Sequence, residues 1–262
     1  MNGNSQIAQL RNVEAFVTMV RQLMDAPLGQ ERMGCFYGPS GWGKTTAVSA
    51  AQVIYDVVAI EVIENTSKID VLDQIATQFQ ISSRRDVPAR IRAISDFLMK
   101  TDRALIIDDA QYLIKRGMIG IARDIYNTCG GIVPVVLVGE EALPQNLTKF
   151  ENVHNRIAVW EGAHPCDMRD GQRLAEIYAA GVDVEEQLLA DIVTNANGAI
   201  RRVANMLGVV RELAHARGVT EITRADWGNR PFFDGQPPVA RAPAQLKPKV
   251  ALVASGRKAA NS

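Results

Sequence analysis

The sequence predicts an α/β protein built on a parallel sheet, followed by a small helical domain. Three observations point there. Residues Gly38 to Thr46 fit the pattern G-x-x-x-x-G-K-[ST], between a short apolar stretch, Met33 to Tyr37, and a helix-like stretch, Thr46 to Tyr55. Ala104 to Ile107 is a wholly apolar run that ends in two carboxylates, Asp108 and Asp109. Short β-branched runs alternate with helix-period stretches up to Pro165, and only helix-period stretches follow it.

In chain order, apolar residues at Ile7, Leu10, Val13, Phe16, Val17, Val20 and Leu23 recur every three or four positions. That spacing predicts a helix, which Pro27 and Gly29 end. Met33 to Tyr37 is then a buried strand, and Val57 to Ile63 a second one. Ser67 or Asn65 caps a helix from Lys68 to Phe79, and another runs from Val87 to Met99 with Pro88 in its first turn. Ala104 to Asp109 is the third strand. Tyr112 to Thr128 has helical spacing, weakened by Gly117 and Gly120. Ile132 to Val138 is the fourth strand, with Pro134 near its start. A short helix and then a fifth strand, Ile157 to Trp160, complete the alternation. Helices from Asp167 to Ala180, Val184 to Ala196 and Ala199 to Ala216 follow, with a last turn from Thr223 to Trp227 capped by Thr223. These boundaries divide the chain into a nucleotide-binding core (1–163), a helical lid (164–230) and a Pro/Ala-rich basic tail (231–262) expected to be disordered.

The 262 residues suffice for one such core with a small second domain. At 47% hydrophobic and 22% charged the composition is that of an ordinary soluble globular protein. The formal charge is zero, but unevenly spread. From Asn229 onward six basic side chains face the single acid Asp234, a net +5 that leaves −5 for the rest. Such a tail fits a polyanion partner or simple solubility. Cys35, Cys129 and Cys166 lie far apart, which points to neither a zinc site nor a disulfide framework. The N-terminus lacks a basic-then-apolar signal pattern and no apolar run reaches membrane-spanning length, so a cytoplasmic location without a membrane is expected.

The chemistry of the two motifs follows from their residue types. Glycines let the backbone of Gly38, Pro39, Ser40, Gly41, Trp42, Gly43, Lys44, Thr45 and Thr46 curl with its N–H groups toward phosphate oxygens, and the following helix adds its positive end. Lys44 reaches the β- and γ-phosphates of ATP. The Thr45 hydroxyl and the Asp108 carboxylate are hard oxygen ligands for Mg²⁺. Asp109 is then placed to orient or deprotonate the attacking water. Trp42 is expected to pack against a neighbouring part of the chain.

The order of these motifs, with a strand ending at Gly139-Glu140, an arginine before the fifth strand and a lid carrying Gly198-Ala199-Ile200-Arg201, resembles the AAA+ ATPases. Ile-Ile-Asp-Asp-Ala-Gln and Leu-Val-Gly-Glu-Glu-Ala-Leu resemble the branch containing the phage Mu B protein, TnsC, TniB and the secretion ATPase ExeA. The likeness runs from about Ile7 to Trp227. It implies a P-loop AAA+ parallel five-stranded sheet of order 5-1-4-3-2 flanked by helices, and a nucleotide between core and lid. It also implies a homo-oligomer, ring or filament, in which Arg156 reaches a neighbour's nucleotide as an arginine finger; the plain reading of the same residue is a surface ion pair. Arg201, or Arg202 beside it, matches the lid arginine at the γ-phosphate. Glu140 falls near a position where the family carries a neutral polar residue. Asp109 stands where the family usually has Glu; its shorter side chain implies slow hydrolysis, suited to an assembly switch.

Two function classes follow. In the first, a Mu B-like ATPase assembles with ATP on double-stranded DNA and directs a transposase, with Arg84, Arg85, Lys115 and Arg116 as candidate phosphate contacts. In the second, an ExeA-like ATPase acts on protein partners in secretion or envelope assembly. A small-molecule kinase shares the P-loop, but the lid with Gly198 and Arg201 argues against it.

Overall fold

The computed structural model describes residues 10–81 and 86–233. The expected start of the first helix at Ile7, the pair Arg84 and Arg85, and nearly all of the tail lie outside the described residues. Helix α1 spans Arg11–Met24 and leads into β1, Met33–Tyr37. The P-loop joins β1 to α2, Lys44–Tyr55, and β2, Val58–Glu61, follows. Helices α3, Lys68–Gln78, and α4, Val87–Thr101, precede β3, Leu105–Asp108. Then come α5, Gln111–Lys115, α6, Gly120–Thr128, and β4, Val135–Gly139. Two short helices, α7 (Leu143–Leu147) and α8 (Glu151–His154), lead to β5, Ile157–Gly162.

All five strands pair in parallel, in the order β2-β3-β4-β1-β5. This is the expected order 5-1-4-3-2 read from the other edge, and it is the P-loop AAA+ fold. The pleat explains how the apolar runs are used. Alternate residues of a strand face opposite sides, so Phe36, Ile106, Val136 and Val138 enter one buried cluster. Cys35, Leu105, Ile107, Val135 and Leu137 enter the other. Every residue of β3 and β4 is buried, as a parallel sheet covered on both faces requires.

After the sheet, α9 (Met168–Tyr178), α10 (Glu186–Asn195), α11 (Ile200–Arg217) and α12 (Arg224–Trp227) form the helical part. Leu174, Leu188, Ile192, Leu207 and Trp227 extend the first cluster into it, so one continuous core joins sheet and lid. A two-stranded parallel ladder, β6 (Asp183–Val184) with β7 (Glu221–Ile222), ties α10 to α12. No sequence pattern marks it, because two residues are too few to show a period.

Local chemistry sets most boundaries. The Ser67 hydroxyl accepts from the Asp70 N–H at 3.3 Å while the Asp70 carboxylate accepts from the Ser67 N–H at 2.9 Å, which settles the cap of α3 on Ser67. Thr223 and Asp226 form the same reciprocal pair at the start of α12, and the Asp86 carboxylate caps α4 by accepting from the Ala89 N–H. The expected helix from Tyr112 to Thr128 is two helices, because Gly117 adopts φ 64° and turns the chain. The expected strand from Ile132 begins only at Val135; Pro134 has no N–H, and its carbonyl accepts from Leu105 instead. Among the described residues, no helix is long and apolar enough to cross a membrane.

Candidate functional site

The P-loop, the carboxyl ends of the strands and the start of α11 enclose a cleft of about 530 Å³. Ser40, Gly41, Gly43, Lys44, Thr45 and Thr46 form its floor. Asp109 and Glu61 close the side toward β3 and β2, and Ile200, Arg201, Ala204 and Asn205 come down from the lid. The helix after the loop starts at Lys44, two residues earlier than its sequence suggests, because Gly43 (φ 85°) turns the chain there. A Cβ at 43 would stand 2.9 Å from Ile200 Cδ1, so the loop and the lid helix touch where only glycine fits.

Lys44 is buried, and its Nζ donates to the carbonyls of Gly38 at 2.8 Å and Pro39 at 2.9 Å. Burial pulls its pKa down, and Arg201 adds to that; Asp108, Asp109 and Glu140 pull it back up. The ammonium thus faces carboxylates from the ends of two neighbouring strands. The Thr45 hydroxyl donates to Asp108 Oδ2 at 2.8 Å. Asp108 is buried, which raises its pKa, while the Thr45 hydroxyl and the Asp109 N–H oppose the rise. A hydroxyl and a carboxylate brought this close offer the hard oxygens that Mg²⁺ prefers, so the donor set fits that ion. Asp109 holds φ 53° and its N–H donates to Asp108 Oδ1 at 2.9 Å.

Of the two lid arginines, Arg201 lines the cleft and its N–H donates to the Gly41 carbonyl at 3.2 Å. The Arg202 guanidinium lies over the Phe233 ring, 5.6 Å from its centroid. Glu140 is exposed at the end of β4. Trp42 packs within the chain: a Cβ on Gly198, at the entry to α11, would stand 2.8 Å from its indole. Arg156 is not brought to the cleft. It sits where β5 begins, its guanidinium 3.2 Å from Glu31 Oε1 and 5.7 Å from the Tyr126 ring centroid. Glu31 Oε2 also accepts from the Tyr126 hydroxyl at 2.7 Å. Lys115 and Arg116 are exposed at the end of α5, with Lys115 Nζ 4.9 Å from the Tyr112 ring centroid.

Two residues that sequence reasoning passed over hold this arrangement together. Asn12 is fully buried on α1. Its Nδ2 donates to the Trp42 carbonyl at 2.7 Å and the His164 carbonyl at 2.8 Å, and its Oδ1 accepts from the His164 N–H at 2.7 Å. One side chain therefore joins α1, the P-loop and the segment leading to the lid. The available signal was a polar residue four positions from Phe16, on the apolar stripe of an amphipathic helix. The other is Gln111, buried beside Asp109.

Residues 28–147 match the family model described as AAA domain. No curated protein matches the sequence. Among solved structures, the Cdc6 protein of Pyrobaculum aerophilum is similar over 82% of this chain and 65% of its own, with TM-score 0.58 and 16% identity. The Aeropyrum pernix ORC1 protein, solved in complex with DNA, is similar over 82% of this chain and 62% of its own, with TM-score 0.58 and 17% identity. Domain III of the Thermotoga maritima replication initiation protein DnaA is similar over 82% and 88%, with TM-score 0.53 and 17% identity. The chain spans less than two thirds of the length of the first two. At these identities the likeness is one of fold. The loop and the acidic strand end thus lie within the residues that match the AAA domain model, and the sheet that carries them has the P-loop AAA+ order.

Proposed function

We propose that this protein hydrolyses ATP slowly and uses the ATP-bound form to assemble on double-stranded DNA, where it directs a transposase in the manner of the Mu B-like ATPases. One observation carries the reading: Lys44, Thr45, Asp108, Asp109 and Arg201 converge from three segments of the chain on a single cleft.

The N–H groups of the loop and the Lys44 ammonium bind the phosphates. Arg201 binds the terminal phosphate from the lid, so lid position and nucleotide are coupled. Thr45 and Asp108 hold Mg²⁺, which when bound neutralises charge on the phosphate oxygens. Asp109 orients the attacking water and takes its proton. Arg156 acts on the nucleotide of a second copy of this chain. Its distance from its own cleft favours that reading. A finger supplied by a neighbour makes hydrolysis depend on assembly.

Phosphate contacts from Arg84, Arg85, Lys115 and Arg116 are few per subunit, so binding gains strength along an array. The solved ORC1 likeness is of a protein bound to DNA, which supports a nucleic-acid partner for this fold here. The test is a titration of the full chain onto duplex DNA with ATP, with ADP and without nucleotide, over a range of salt. The expected result is cooperative, sequence-indifferent binding that is strongest with ATP and weakens steeply with salt. Equal binding in all three conditions, or none at low salt, rejects the DNA reading and favours the ExeA-like one.

A further inference from the structure

The acidic turn after β3 is anchored to the neighbouring strand by a single side chain. Gln111 is only 5% exposed. Its Nε2 donates to Asp109 Oδ1 at 3.0 Å, and its Oε1 accepts from the Glu140 backbone N–H at 3.3 Å. A carboxylate can only accept and a backbone N–H can only donate, so the two partners dictate which way the amide points. A flipped amide would set donor against donor at one end and acceptor against acceptor at the other.

The space for this amide is reserved. A Cβ on Gly139 would stand 2.5 Å from Gln111 Oε1 and 2.9 Å from Leu143 Cδ2. The same turn is registered to β4 through its backbone, because the Ala110 N–H donates to the Val138 carbonyl at 2.9 Å. Asp109 holds a left-handed φ of 53°, which a residue other than glycine keeps where its surroundings impose it. Its N–H is fixed on Asp108 and one carboxylate oxygen on Gln111. The backbone and one oxygen are thereby tethered, and the other oxygen is left for the cleft.

We propose that Gln111 is the positioning residue for Asp109: its buried amide fixes the carboxylate at the cleft and ties that position to the end of β4. The inference rests on the reading of Asp109 as the water-orienting acid. An aspartate has one methylene less than glutamate with which to find the water. Fixing its rotamer from behind is a way to hold a short acid in one productive position. A displacement at the end of β4 passes through the Glu140 N–H and the Gln111 amide to the carboxylate.

The experiment compares ATP turnover with ATP affinity in the full chain. Gln111→Met fills a similar volume without an amide. Gly139→Ala keeps Gln111 but drives a methyl into the place of its oxygen. Gln111→Glu retains an acceptor for the Glu140 N–H but loses the donor to Asp109. Each is expected to lower kcat by ~10- to 100-fold, the scale of a displacement of about 1 Å in a reacting group. ATP affinity, measured with a fluorescent analogue, should stay within about twofold, because none of these groups is placed to bind phosphate. A role confined to packing would instead lower stability and affinity together. Where Gln111→Met fails to fold, Gly139→Ala decides. Native kcat in the folded variants, or affinity falling in step with kcat, overturns the proposal. Asp109→Asn separates it from the reading beneath it. Native turnover in Asp109→Asn removes both, whereas an inactive Asp109→Asn beside a fully active Gln111→Met removes only the role of Gln111.

Discussion

Asn12→Ala should destabilise this protein far more than a polar-to-alanine change on a helix normally does. The substitution strands three backbone groups at once: the Trp42 carbonyl, the His164 carbonyl and the His164 N–H. Asn12 itself has no exposed surface, so water does not readily replace it. A buried polar group left without its partner costs ~1–3 kcal/mol. At the low end of that range for each group the loss is about 3 kcal/mol. In a domain of this size ~1 kcal/mol moves the melting temperature by about 2–4 °C, so a drop of roughly 6–12 °C is expected. Asn12→Asp should be worse still, because a carboxylate would face two carbonyl oxygens while keeping only the bond from the His164 N–H. Trp42 belongs to the P-loop, so ATP should bind both variants more weakly. Urea and thermal denaturation followed by circular dichroism, with and without ATP, measure all of this. A loss under about 1 kcal/mol, or an Asn12→Asp protein as stable as the native one, would refute the strut.

The remaining expectations concern the cleft and the surfaces around it. Lys44→Ala should abolish ATP binding in a direct binding assay, since it removes the charge that meets the phosphates. Arg156→Ala should change stability by less than ~1 kcal/mol, because its pair with Glu31 is part-exposed, yet lose hydrolysis while binding ATP. Mixing it with Lys44→Ala should restore part of the turnover, and a folded mixture with none would argue against a shared site. Gly43→Ala should lower stability by ~1–3 kcal/mol and weaken ATP binding, through a φ of 85° and the approach of Ile200. Replacing Arg84, Arg85, Lys115 and Arg116 together by alanine should reduce both duplex affinity and its salt slope, by ~0.9 in the slope for each phosphate no longer neutralised, with nucleotide binding intact.

Much of the fold was legible because its signals are local and repeated. Four short, mostly apolar runs read as strands of a covered parallel sheet, and the caps at Ser67 and Thr223 are short-range chemistry. The failures are equally physical. Gly117 breaks a helix whose apolar spacing continues across the break, with Leu113, Met118, Ile121 and Ile125 all buried on either side of the turn. Spacing alone cannot separate one long helix from two short ones sharing a core. Asn12 and Gln111 were missed for a different reason. Each is a buried amide with a partner that is a backbone group far along the chain, His164 for the one and Glu140 for the other. A sequence offers no mark for a backbone acceptor, since every residue has one.

The two lid arginines show how tertiary contact settles what periodicity leaves open. Successive residues on a helix point about 100° apart, so at most one of Arg201 and Arg202 can face the cleft. The buried stripe of α11 runs through Ile200, Val203, Leu207, Val210 and Ala214. On a helical wheel Arg201, Ala204 and Asn205 occupy the adjoining arc, and all three line the cleft, whereas Arg202 lies about 100° further round. The stripe alone does not say which of its two flanks meets the P-loop. Two contacts do: Ile200 against Gly43, and the Arg201 N–H on the Gly41 carbonyl. Both lie in the first turn of α11, and both bind the lid to the loop rather than to the sheet. A movement of the P-loop therefore carries the Arg201 end of the lid with it. The same loop is held from α1 by Asn12. Asn12 also holds the segment around His164, so α1, the P-loop and the entry to the lid are joined through one buried side chain.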